Sequence, residues 1–203
     1  MCGRFTLSKP AALTAAFPRF RFPEFSETQL PRYNIAPTQR VLGVRNDGRD
    51  VVEELHWGIH GRINIRGESI AARRGPILRR CIEFADGFFE WSSRRPFYYT
   101  LESGQPFAFA GLWEPDNDTA SCDIATCEPN ALVAPVHDRM PVILAGNAID
   151  LWLGAEPLSP EVAASVLRPM DASLMRVREV STRVNNASYD APDVLETPDP
   201  RLF

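Results

Sequence analysis

Ile82-Glu83-Phe84-Ala85-Asp86-Gly87-Phe88-Phe89-Glu90-Trp91 decides how the rest of the chain is read. Two short apolar runs flank Asp86-Gly87, so the stretch predicts strand, turn and strand. Working outward, residues 41–45 and 51–57 flank Asn46-Asp47-Gly48 and predict a hairpin. Residues 97–101 and 106–113 flank Glu102-Ser103-Gly104 and predict a second one. Residues 122–126 and 142–144 read as buried strands, and residues 176–180 as the last strand. Helical character is confined to three places: residues 9–17, residues 68–80 with an interruption at Gly75-Pro76, and a segment opening on Ser159-Pro160-Glu161. That last start combines an N-cap, a first-turn proline and an acid. Residues 18–37 read as extended loop and the tail after Ala191 as irregular. Strands that do not alternate regularly with helices predict an α+β fold in one compact domain, residues 1–203, not a βαβ sheet.

A chain of 203 residues can bury a substantial core. No apolar run approaches the ~20 residues of a membrane-spanning helix, and no basic start leads into an export signal. Cys2, Cys81, Cys122 and Cys127 form no CxxC pair, which argues against a zinc module or a disulfide framework. The expectation is a cytoplasmic protein with reduced thiols, no cofactor and no metal. A net charge of −4 does not suggest nucleic acid, but its distribution does. Lys9 is the only lysine, and arginines gather at Arg62, Arg66, Arg73, Arg74, Arg79 and Arg80, followed by Arg94 and Arg95. A local basic face can track a phosphate backbone even on an acidic protein. A solvated arginine-rich helix gives the same pattern.

Five positions can carry chemistry. Once Met1 is removed, Cys2 presents an α-amine and a thiol on adjacent carbons, with reference pKa values of roughly 7.7–8.0 and about 8.5. Such a 1,2-aminothiol condenses with an aldehyde to an imine, and the thiol closes the imine to a thiazolidine without having to search for it. The alternative is a small buried residue behind a retained methionine. Glu90, set among aromatics, is a general acid if burial raises its pKa, or an edge-strand carboxylate facing water. His137, in Val136-His137-Asp138-Arg139-Met140-Pro141, is a proton carrier or a turn-capping residue. Asn64 is either a helix N-cap or an amide that holds substrate. Trp57 is either core or a stacking platform for a base.

Together these positions fall into ordered blocks. Met1-Cys2-Gly3-Arg4-Phe5, Tyr33-Asn34-Ile35-Ala36-Pro37-Thr38, Trp57-Gly58 and Asn64-x-Arg66-x-Glu68 come first. Arg80-Cys81 then leads into Ala85-Asp86-Gly87-Phe88-Phe89-Glu90-Trp91, followed by Phe109-Ala110-Gly111-Leu112-Trp113-Glu114 and His137-Asp138-Arg139-Met140-Pro141. In this order the chain resembles the SOS-response-associated peptidase family, proteins that crosslink to abasic sites in single-stranded DNA, from Met1 to about Asp193. The resemblance implies a mixed or antiparallel, curved and barrel-like β core with flanking helices, and a DNA groove leading to Cys2. It implies that Cys2 is the covalent residue, Asn64 holds the ring or its amine, Glu90 is the general acid/base and His137 assists on the opened sugar. Arg4, Trp57, Arg66, Arg74 and Arg139 would touch DNA, with Asn34 and Pro37 lining the site. The implied partner is single-stranded DNA with abasic sites, bound by a monomer that joins the nucleoid on damage.

Two departures stand out. Only residues 59–63 separate Trp57-Gly58 from Asn64, where the family carries a longer loop with a proline and a second tryptophan. Asn64-Ile65-Arg66 replaces the usual Asn-Ala-Arg. The chemistry is coherent all the same. An abasic deoxyribose opens to an aldehyde, and opening needs a proton donor at the ring oxygen and a base at the hydroxyl. An unlocked imine invites β-elimination of the 3′ phosphate, a lyase outcome that the thiazolidine prevents. The alternative reading is an N-terminal-nucleophile peptidase or amidohydrolase, its minimal form being removal of its own Met1. A third is a non-catalytic binding module.

Overall fold

At Asp86 the chain leaves one sheet and enters another, which is why the quoted stretch organises the fold. The computed structural model describes residues 2–23, 30–116 and 119–198. Its strands are β1 (Phe5–Leu7), β2 (Arg32–Ile35), β3 (Arg40–Arg45), β4 (Glu53–Trp57), β5 (Asn64–Arg66), β6 (Arg80–Ala85) and β7 (Gly87–Ser92). These are followed by β8 (Arg95–Leu101), β9 (Phe107–Asp116), β10 (Thr119–Cys127), β11 (Met140–Pro141), β12 (Ile143–Leu144) and β13 (Met175–Glu179). The helices α1 (Leu13–Ala16), α2 (Gly67–Ala71), α3 (Asn147–Leu153) and α4 (Pro160–Val166) are short. The α+β class holds.

Strands β3, β4, β10, β9 and β6 pair in a closed ring, every pair antiparallel except β4 with β10. This is the expected barrel. The second sheet has the order β13-β8-β7-β1-β2. Between the two, Asp86 fixes the corner: its carboxylate accepts from the Thr6 hydroxyl at 2.5 Å, the Ser8 hydroxyl at 2.8 Å and the Lys9 backbone N–H at 2.8 Å. Gly87 follows because a Cβ there would lie 2.3 Å from the Tyr98 ring. Past the Gly111–Ile124 pair, β9 and β10 separate, and residues 140–144 wedge between them. The turn just ahead of that wedge carries His137, whose Nε2 lies 3.8 Å from Glu90 Oε2.

The first predicted hairpin forms, with Arg40 opposite His56 and Gly43 opposite Glu53. The second does not: β8 pairs with β7 and β13, and β9 with β6, β10 and β12. The true hairpin is β7–β8, closed by Ser93 (φ 50°) and Arg94 (φ 69°). Both turn residues adopt positive φ, the twist a two-residue hairpin demands, without the glycine or asparagine that would have advertised it. The helix expected over residues 68–80 shrinks to α2, and Arg80 belongs to β6. Asn64 is not an N-cap but the first residue of β5, with Arg66 in the capping position of α2. Strand β2 lies inside the stretch read as loop, and Pro192–Leu195 forms a 3-10 turn in the irregular tail. Ser159 caps α4 as expected, accepting from the Val162 N–H.

Inside the barrel wall sits an acid the alternation pattern does not explain. Glu83 is fully buried, with the Cys81 thiol 3.1 Å from its Oε1, and a Cβ on Gly111 would approach that oxygen to 2.3 Å. Burial raises the Glu83 pKa from 4.5 to about 8. The folded protein therefore keeps this proton up to about pH 8, whereas the unfolded chain releases it near 4.5. Stability falls as pH rises between those values, by up to about 1.4 kcal/mol per unit. Glu83→Gln should flatten that slope in urea titrations at pH 5, 7 and 9, raising stability most at pH 9.

Candidate active site

Phe5 fixes the chain's beginning. Its ring lies 5.1 Å from that of Trp57 and 5.5 Å from that of Phe109, and such burial contributes about 1.5–3 kcal/mol. β1 then pairs with β7, placing Phe5 opposite Phe88 and the Arg4 carbonyl 3.0 Å from the Phe89 N–H. Cys2, just ahead of β1, is thereby held beside the strand that carries Glu90. The Asn64 amide donates to the Cys2 carbonyl at 2.8 Å. Its other atom, Oδ1, is buried and accepts nothing from the described residues. An acceptor left open beside Cys2 suits an amine or a sugar hydroxyl.

Three groups share a proton economy here. Cys2 is fully buried, and burial, then the Glu90 charge, raises its thiol pKa well above normal. Glu90 is 2% exposed, and burial raises its pKa to about 7. His137 Nε2 lies 3.8 Å from Glu90 Oε2, its side chain 26% exposed, and burial lowers its pKa. At neutral pH the thiol is protonated, the imidazole neutral and the carboxyl divided between its forms, an arrangement suited to donating and recovering a proton. Cys81, Cys122 and Cys127 are also buried thiols with raised pKa values. What distinguishes Cys2 is its neighbours.

Not every expected contact faces outward. Trp57 is fully buried, its indole N–H donating to the Ile63 carbonyl at 2.9 Å. The short loop folds back through a tight turn, His60 and Gly61 both with positive φ, and makes the ring core rather than platform. Asn34 is fully buried and donates to the carbonyls of Val184, Asn186 and Tyr189, while its Oδ1 accepts from Arg4 at 2.8 Å. It staples the C-terminal segment and does not line an open site. Arg139 is buried in two parallel bonds to Glu68, at 2.7 and 2.8 Å. Arg80 is fully buried too, its guanidinium donating to the carbonyls of Ile77, Trp152, Gly154 and Glu156, so it leaves the basic face. Arg4 and Pro37 are half-buried; Arg66 and Arg74 are exposed.

Glu68 lies in a quoted motif that by itself assigns it no role. Arg62, Arg73 and Arg79 meet around a cavity of about 380 Å³ whose wall includes Trp113, over which Arg79 lies at 5.6 Å. No group of three or more His, Cys, Asp or Glu among the described residues is placed to hold a metal. Among the described residues no helix is long and apolar enough to cross a membrane.

A family model described as SOS response associated peptidase matches residues 1–187. The chain is 34% identical to the abasic site processing protein YoqW of Bacillus subtilis, over 97% of this chain and all of the relative. It is 36% identical to YoaM of the same organism, over 97% and 98%, and 28% identical to YedK of Escherichia coli, over 97% and 99%. Both relatives are likewise named abasic site processing proteins. A crystal structure of a protein from Bacteroides thetaiotaomicron superposes with a TM-score of 0.79 at 21% identity, over 97% of this chain and 99% of that one, a likeness of fold.

Proposed function

The chain belongs to the SOS response associated peptidase family, and on that premise we propose that it captures abasic sites in single-stranded DNA covalently through Cys2 after losing Met1. The observation that carries this reading is the convergence on Cys2 of an open amide acceptor, Asn64, and a proton-sharing pair, Glu90 and His137. Glu90 donates a proton to the sugar ring oxygen and recovers one from the C1′ hydroxyl as the ring opens to the C1′ aldehyde, and His137 faces the freed hydroxyl. The Cys2 amine attacks C1′ and passes one proton to its oxygen; a proton from Glu90 lets water leave, the nitrogen's remaining proton returns to Glu90, and an imine results. The Cys2 S–H then adds across C=N, sulfur to C1′ and hydrogen to nitrogen, closing the thiazolidine. This blocks β-elimination and spares the strand.

A hydrolase reading asks for an activated thiolate. Burial and the Glu90 charge raise the Cys2 thiol pKa, which counts against a thiolate activated for attack on an amide. Incubation with abasic single-stranded DNA followed by a denaturing gel separates the readings. A heat-stable shifted band supports capture, peptide turnover without a band supports the hydrolase, and a salt-sensitive shift seen only on native gels supports a binding module.

Arg66, Arg73, Arg74 and Arg79 are exposed, which supports a part for them in tracking the strand. Arg73→Ala/Arg79→Ala should weaken binding to intact single-stranded DNA and make the log K against log salt slope shallower by about 1.4, two contacts at roughly 0.7 each. Fluorescence anisotropy across a salt series reads both.

A further inference from the structure

We infer that Glu68 is a positioning residue which, acting through Arg139, holds His137 in the tautomer carrying its proton on Nε2. This rests on the capture reading for its use, but not for its test. The Arg139 backbone N–H points at His137 Nδ1 from 3.0 Å, so that nitrogen must offer a lone pair. Asp138 Oδ1 also lies 3.0 Å from Nδ1 and, taken alone, favours the opposite tautomer. The two cannot both bond one nitrogen. Asp138 is 85% exposed and free to turn into water, whereas the Arg139 N–H is fixed by its turn and has to be satisfied. The backbone donor therefore sets the tautomer, and Nε2–H faces Glu90 and whatever oxygen lies between them.

Arg139 holds that N–H in place. Its guanidinium grips both carboxylate oxygens of Glu68 on α2, and Nη2 donates to the Thr126 carbonyl of β10 at 2.6 Å. The Arg139 side chain is 11% exposed and that of Glu68 60%, so the clamp ties a buried cation to a carboxylate at the rim. Losing Glu68 would leave the guanidinium half-satisfied and release the turn that orients the imidazole. Glu68 itself reaches no reacting atom.

The test is a long-range 1H–15N spectrum of histidine-labelled protein without DNA, paired with single-turnover capture rates. In the parent protein His137 should show a lone pair on Nδ1 and the proton on Nε2. In Glu68→Ala both nitrogens should move toward averaged values and capture slow about tenfold, the scale of lost outer-shell support. Formate, small enough to enter the vacated place on Arg139, should restore part of both. Glu68→Gln, which keeps the shape and one acceptor oxygen, should fall between. A parent spectrum with the proton on Nδ1, or a folded Glu68→Ala with unchanged nitrogens and rate, would overturn the inference. If the parent captures no DNA, the capture reading fails and the nitrogen spectrum still decides the tautomer.

Discussion

Cys2→Ala will form no heat-stable complex with abasic single-stranded DNA, while binding intact single-stranded DNA as the parent does. The loss is complete because one residue supplies both bonding atoms, and neither Asn64, Glu90 nor His137 offers an amine and a thiol on adjacent carbons to close the ring. Alanine still offers a terminal amine, so an imine can form, but nothing closes it; the variant should convert capture into slow strand scission at the lesion. The fold should survive, since the thiol's polar contact is one long approach to the Arg4 carbonyl at 4.0 Å and the lost volume is near one methylene, about 0.8 kcal/mol. A denaturing gel run beside a native one distinguishes loss of chemistry from loss of binding. Acetylating the terminal amine should act as severely from the other side, because it removes the nitrogen.

Glu90→Gln should slow capture by about 10²–10⁴, the range for a positioned general acid. The parent's rate should decline above about pH 7, where the carboxyl gives up the proton it must donate. The variant should lose that alkaline decline, keeping only the rise as the amine deprotonates. Stability separates this from damage to the fold. Glu90 is protonated to about pH 7 when folded but only to about 4.5 when unfolded, so its burial makes stability fall as pH climbs between them. Glutamine removes that penalty. The variant should be as stable as the parent at pH 8, or more so, though far slower.

Much of this was readable in the chain, for identifiable reasons. The turn pairs at Asn46-Asp47-Gly48 and Asp86-Gly87, and the cap at Ser159, have local signatures, and the structure shows them where expected. The β7–β8 hairpin hid because Ser93 and Arg94 adopt positive φ without a residue that announces it. β8 and β9, adjacent in sequence, went to different sheets because non-local pairing decided, which no window of sequence reports. Charge was equally blind to context. Arg80 and Arg139 count as basic surface in a composition, yet one holds four carbonyls and the other a carboxylate. Trp57 shows how five residues can matter: the clipped loop that follows it covers the ring. Glu83 went unnoticed because an acid in an apolar run looks like a break in a strand, when Gly111 on the neighbouring strand had made room for it.

The most direct test is the mass of the nucleotide-bearing peptide recovered after capture, with and without borohydride. The account predicts a peptide beginning at Cys2, equal to peptide plus abasic nucleotide less one water, and unchanged by borohydride because no imine remains. A peptide still carrying Met1, a borohydride-reducible adduct, or attachment at Lys9, the only side-chain amine in the chain, would contradict it.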